Sequence, residues 1–135
     1  MKTKVITVSS SAPITEAALI MRDEDIGALI VLDDREVPVG IITDRDIVVS
    51  VLAENKDPEE VVVEDVMTRK LLTVQEDTNV FDILRILSKN SIRRVPVTRK
   101  GKLTGIISVD DIVIVLATEL ANLASALTGG ISRTI

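Results

Sequence analysis

Gly105-Ile106-Ile107-Ser108-Val109-Asp110-Asp111-Ile112-Val113 restates an earlier stretch of the same chain, Gly40-Ile41-Ile42-Thr43-Asp44-Arg45-Asp46-Ile47-Val48. Each copy reads as the end of an apolar strand, a hydroxyl, a carboxylate three residues on, and the opening of a helix. The correspondence extends upstream of this stretch. Ile92-Arg93-Arg94-Val95-Pro96-Val97 aligns with Ile26-Gly27-Ala28-Leu29-Ile30-Val31, and Val80-Phe81-Asp82-Ile83-Leu84 with Ile14-Thr15-Glu16-Ala17-Ala18. The first copy is one residue longer in its hairpin. Two copies of one unit fill nearly the whole chain, and such self-similarity governs every later reading.

Each unit predicts β-α-β-β-α, so the fold class is α+β. Short strands are expected around Val5–Val8 and Leu71–Val74. Helices follow, with Pro13 suited to a first helical position and Thr78 to an N-cap, and they run to about Arg22 and Lys89. Two hairpins come next: Ala28–Leu32 with Val37–Ile42, and Arg94–Thr98 with Leu103–Ile107. Asp33-Asp34-Arg35-Glu36 and Arg99-Lys100-Gly101 are their turns. The second helices open at Thr43 and Ser108. Charged residues around Pro58 read as a linker. The organisation is residues 1–56, first unit; 57–65, linker; 66–127, second unit; 128–135, a flexible tail after a helix ended by Gly129-Gly130. One such unit has a thin core, so two units packed about a pseudo-two-fold are expected to share one. In the last helix Val113, Leu116, Leu120, Leu123 and Leu127 are spaced as in a coiled-coil seam, which suits either packing on its own unit or a homodimer.

Composition narrows the chemistry. The 135 residues are 46% apolar and 27% charged, with Phe81 the single aromatic. Cysteine and histidine are absent. That removes disulfides, the usual zinc ligands and the commonest nucleophiles and acid–base groups, so no catalytic residue and no metal site is assigned and the chain is not read as an enzyme. A net charge of −5 disfavours duplex nucleic acid, and the missing aromatics disfavour single strands. The longest unbroken apolar run, Ile112 to Ala117, is too short to cross a bilayer. A cytoplasmic protein without a membrane partner is expected. Met21, Met67 and Phe81 read as core, and Asp23-Glu24-Asp25 as a solvated helix end.

The repeated Gly-x-x-(Thr/Ser)-x-x-Asp element has two readings. A hydroxyl at an N-cap with a carboxylate three residues on is close to a capping box. The same parts also suit a ribonucleotide. A helix N-terminus presents unpaired N–H groups to an anion. Thr43 or Ser108 adds a donor, and Asp46 or Asp111 accepts from sugar hydroxyls at roughly 1.5–3 kcal/mol per bond. This second reading requires carboxylates that face the groove between units and are not consumed by the chain's own amides.

Taken together, Val66-Met67-Thr68, Ile92-Arg93-Arg94-Val95-Pro96-Val97 and Gly105-Ile106-Ile107-Ser108-Val109-Asp110-Asp111 resemble a tandem pair of CBS (cystathionine-β-synthase) domains, a Bateman module. The resemblance implies a regulatory module binding AMP, ADP, ATP or an S-adenosylmethionine-type ligand in clefts between the units, with no catalytic cofactor and an unidentified partner protein. Carried over, cleft A comprises Thr43, Arg45 and Asp46 facing Lys70, Leu71, Leu72, Arg93, Arg94, Val95 and Pro96. Cleft B comprises Ser108 and Asp111 facing Val5, Ile6, Ile26, Gly27 and Ala28. The first unit departs from the pattern, with Ala28-Leu29-Ile30-Val31 where the second has Arg94-Val95-Pro96-Val97, and Asp110 stands where the first has Arg45. Unequal clefts follow: A, rich in arginine, for phosphates, and B for a less charged adenosine compound or none. Solvated strand-edge arginines are the plainer account of Arg93 and Arg94. A ligand-free interaction or dimerisation scaffold is the competing function.

Overall fold

The computed structural model describes residues 4–134, with side chains through residue 129. The order is β1 (Thr7–Ser9), α1 (Ile14–Glu24), β2 (Ala28–Leu32), β3 (Pro38–Thr43), α2 (Asp44–Ile47) continued as a π-helical turn (Val48–Leu52), then β4 (Val74–Gln75), α3 (Val80–Lys89), β5 (Arg94–Arg99), β6 (Lys102–Ser108) and α4 (Val109–Thr134). The α+β repeat is thus present. Its two sheets have orders β1-β2-β3 and β4-β5-β6, each with a parallel first pair and an antiparallel second pair. Both sheets carry an irregularity at the same place, Val31/Leu32 and Val97/Thr98.

The hairpin turns follow their residues. Asp33 Oδ1 accepts from the Arg35 and Val37 amides, and Lys100 and Gly101 both take positive φ, as a two-residue hairpin turn demands. Asn79, not Thr78, caps α3, accepting from the Asp82 amide at 2.9 Å. Thr78 Oγ1 instead accepts from the Gln75 amide. Pro13 is the N-cap of α1 and offers no side-chain acceptor.

The shared core expected from the sequence is replaced by two. Val8, Ile14, Leu29, Val31, Ile42 and Val51 cluster in the first unit, and Val74, Ile83, Leu87, Val95, Val97 and Ile112 in the second. The first unit gains its extra apolar mass from the segment read as a linker. Val63 and Met67 are buried in the first cluster, with Val61 and Val66 packed against it. The Pro58 and Val61 carbonyls accept from the Thr15 and Ile14 amides, satisfying helix-start N–H groups that proline cannot cap. Thr68 pairs with Ile41 through amide–carbonyl bonds of 2.9 and 3.0 Å, so Met67-Thr68 straps the free edge of β3. Residues 61–68 therefore pack on the first unit, and Gly40 marks the close approach: a Cβ there would lie 2.7 Å from Met67 Sδ and from the Thr68 carbonyl oxygen.

Two further expectations are corrected. Phe81 is 66% exposed, because the inward stripe of α3 is Val80, Ile83, Leu84 and Leu87 and position 81 falls beside it. The glycine pair does not end α4, which runs through residues 128–134 where a tail was expected; Ile135 lies outside the described residues. Glycine costs a helix about 1 kcal/mol but does not forbid it, and no proline follows. Val109–Gly129 is also long and apolar enough to cross a membrane by length and composition, with mean hydropathy 1.7. Counting unbroken runs misses it, because Thr118, Glu119, Asn122 and Ser125 interrupt the apolar residues.

Candidate functional site

The repeated motifs build the same device twice. Thr43 ends β3, and its Oγ accepts from the Asp46 amide at 3.1 Å while Asp46 Oδ2 accepts from the Thr43 amide at 2.9 Å. Ser108 ends β6, with reciprocal bonds to Asp111 of 3.1 and 3.2 Å. Both are capping boxes, so one oxygen of each carboxylate is bonded to the chain's own amide. A carboxylate has about four acceptor sites and a capping hydroxyl keeps its own proton. Capping therefore fixes the orientation of both carboxylates.

The two helix openings differ in what remains. In α2 the Asp44 amide donates to the Gly27 carbonyl, the Arg45 amide to Asp44 Oδ1 and the Asp46 amide to Thr43. All of the first three N–H groups are used. In α4 the Val109 amide donates to the Arg93 carbonyl and the Asp111 amide to Ser108, and the Asp110 amide has no partner among the described residues. The helix behind it is a continuous α-helix of 26 residues, whereas α2 passes after Ile47 into the π-helical turn.

The structure brings the cleft B residues together. A cavity of about 530 Å³ is lined by Lys4, Val5, Ile6, Ile26, Gly27, Ala28 and Ile30 of the first unit and by Arg94 and Ile106 of the second. Arg94 and Ile106 also line an adjoining recess of about 190 Å³ with Ser108, Asp110 and Asp111. The mostly apolar slot and the polar recess thus share Arg94 and Ile106 as a common wall. The volume lies within the roughly 300–1,000 Å³ usual for small-molecule sites.

Cleft A is not assembled as expected. Lys70, Leu71, Leu72, Arg94 and Pro96 line a cavity of about 270 Å³ with Ile41, Asn90 and Ile92, but Thr43, Arg45 and Asp46 do not line it. Val95 is fully buried in the second core, because on a strand neighbouring side chains face opposite ways. Arg93 pairs with Asp110 at 2.9 Å, which places it beside cleft B and offsets the negative charge expected to burden that cleft. The larger and better furnished cavity is B, the reverse of the sequence-based ordering. Lys4, Ile30, Ile106, Ile41, Asn90 and Ile92 were not assigned from sequence. Ile41 and Ile106 occupy corresponding places in the repeat, which is the signal that would have found them.

Among the described residues, no group of three or more Asp or Glu side chains could hold a metal ion.

Comparison with known proteins agrees with this architecture. The CBS domain pattern matches residues 1–53 and 63–118. MK0525, an uncharacterized protein of Methanopyrus kandleri, is 38% identical over 110 residues, covering 81% of this chain but only 56% of that protein. The chain thus spans little more than half the length of this relative. The crystal structure of Hypoxic Response Protein I, which holds two coordinated zinc ions, superposes with a TM-score of 0.71 at 33% identity, covering 84% of this chain and 92% of the other. A hexameric CBS-CP12 protein from bloom-forming cyanobacteria gives 0.62 at 35% identity, covering 84% and 66%. With the repeat, the two mixed sheets and matches across both units, the chain belongs to the CBS domain family and carries a tandem pair of such domains.

Proposed function

We propose that this CBS pair is a regulatory, non-enzymatic module that binds an adenosine-containing ligand in cleft B. The observation that carries the reading is that the 530 Å³ slot and the recess containing Ser108 and Asp111 share Arg94 and Ile106 in their walls. The slot takes a flat base. Asp111 and the Ser108 hydroxyl face a sugar, and Arg94, Lys4 and the Asp110 amide supply positive charge for phosphate. Binding across two units with separate cores alters their relative stability in one arrangement over another, and a ligand shifts that equilibrium by its differential affinity alone. Thermal denaturation with AMP, ATP and S-adenosylmethionine tests this. A ligand that binds the folded state raises the melting temperature with concentration; no rise with any of the three overturns the reading.

The same module self-associates through α4. Leu120, Leu123 and Leu127 are all more than half exposed, a 3-4 spaced stripe outside both apolar cores. A second copy suits this stripe better than a bilayer does. Ile112 is buried in the second core with Val109 and Leu116 against it, so one face of the first two turns is committed to the domain, and the remainder carries Glu119, at a cost of about 2.5–3.5 kcal/mol for a charge at mid-membrane. A homodimer is the assembly this stripe supports. The ligand-free scaffold draws support from one observation, that both motifs are complete capping boxes, and the thermal experiment separates it from the sensor.

A further inference from the structure

Arg94 stands at the opening of β5 and lines all three neighbouring cavities: the apolar slot, the Ser108–Asp111 recess and the smaller cavity of cleft A. Among the described residues, no other lines both the cleft B cavities and that of cleft A. Its neighbour Arg93 is paired with Asp110, whereas Arg94 has no ion-pair partner among the described residues and is exposed. Each cleft has one cation of its own, Lys4 in B and Lys70 in A. The guanidinium is the one positive group that both must share.

We propose that the two clefts are antagonistically coupled through Arg94, which rests on the ligand reading above and adds its regulation. An anion in cleft B draws the guanidinium fork to its oxygens. A second anion in cleft A then meets Lys70 without Arg94, or meets an Arg94 already neutralised, with a like charge close by. Linkage makes the effect reciprocal, so an anion in A weakens B by the same factor. A neutral ligand makes no demand on Arg94 and escapes the coupling. The pair therefore distinguishes charged from uncharged adenosine compounds by how many it holds.

The test uses AMP and adenosine in titration calorimetry on four full-length proteins. Leu72→Trp fills cleft A and Ala28→Trp fills cleft B, so each reports the other cleft alone. Wild type then reports both together, and Arg94→Gln removes the shared charge at an exposed position. The expected result is that the weaker AMP step of wild type falls at least roughly fivefold below the weaker single-cleft value, up to complete loss of the second step. Adenosine in wild type, and AMP in Arg94→Gln, follow the sum of independent clefts. An AMP isotherm in wild type equal to the sum of the two single-cleft isotherms overturns the coupling and leaves the ligand reading intact. So does AMP binding in only one of the two filled variants, or antagonism that survives Arg94→Gln. Absence of heat from either compound in wild type overturns the ligand reading itself.

Discussion

The Arg93 guanidinium lies 2.9 Å from Asp110 Oδ1, joining the loop before β5 to the first turn of α4 at the rim of cleft B. Both side chains are largely exposed, at 74% and 69%, so the pair contributes at most about 1 kcal/mol to stability. Its weight is electrostatic. Asp110→Asn removes a negative charge beside the recess and releases Arg93 toward it. The melting temperature stays within about 3 °C of wild type on that small energy, while AMP affinity rises roughly threefold, a gain of less than 1 kcal/mol. Calorimetry at low and high salt checks this, since the gain shrinks as salt screens the rim. Unchanged affinity at low salt would remove these residues from the site.

Asp46→Ala and Asp111→Ala each delete one capping box and should cost similar stability, about 1 kcal/mol. Their effects on ligand differ. Asp111 lines the recess of cleft B and Asp46 lines none of the three cavities around Arg94. Loss of a charge-assisted bond worth roughly 1.5–3 kcal/mol lowers cleft B affinity for AMP at least tenfold in Asp111→Ala, whereas Asp46→Ala retains it. Equal losses in both variants would return the sugar site to a symmetric arrangement.

Gly40→Ala tests the strap. The added methyl meets Met67 Sδ and the Thr68 carbonyl oxygen at 2.7 Å. A methionine side chain yields, but the carbonyl is fixed by its bond partner Ile41. Overpacking of this kind costs about 1–3 kcal/mol. Chemical denaturation should show that loss, and a stability equal to wild type would mean that residues 67–68 do not hold the edge of β3.

Leu120→Asp with Leu123→Asp places charges on the exposed stripe of α4. Neither residue belongs to the two apolar cores, so the fold and its melting temperature at low protein concentration persist within about 1 kcal/mol. Sedimentation velocity should move from an associated species to the 14.6 kDa monomer. An associated double variant would assign the interface elsewhere on the surface.

The repeat was legible because its elements are set by local chemistry. Alternating and continuous apolar runs marked β2, β3, β5 and β6 to within a residue or two, and the hydroxyl–carboxylate spacing marked both helix openings. Partnership was harder to read. Nothing local in Val61-Val62-Val63 distinguishes a linker from a core segment, because its burial depends on where Ile14 and Pro13 receive it. The same limit applies to the clefts: Ala28 and Ser108 fall on strands the pattern marks, whereas Val5 and Ile6 precede β1, which starts two residues after the expected strand start, and the faces of Val95 and Arg93 are decided by pairing register and by Asp110. The hydroxyl–carboxylate spacing serves helix capping as well as ligand binding, and the capping bonds are present at both sites.

The strap at Met67-Thr68 has a mechanical consequence. With those residues bonded to Ile41, the connection between the units begins only after Thr68, and residues 69–73 form no helix or strand before β4. Any rocking of one unit against the other must turn about this short pivot. Lys70, Leu71 and Leu72 are that pivot and also one wall of the smaller cavity, so every change in the angle between units reshapes that cavity directly, and whatever lodges there acts as a wedge in the joint.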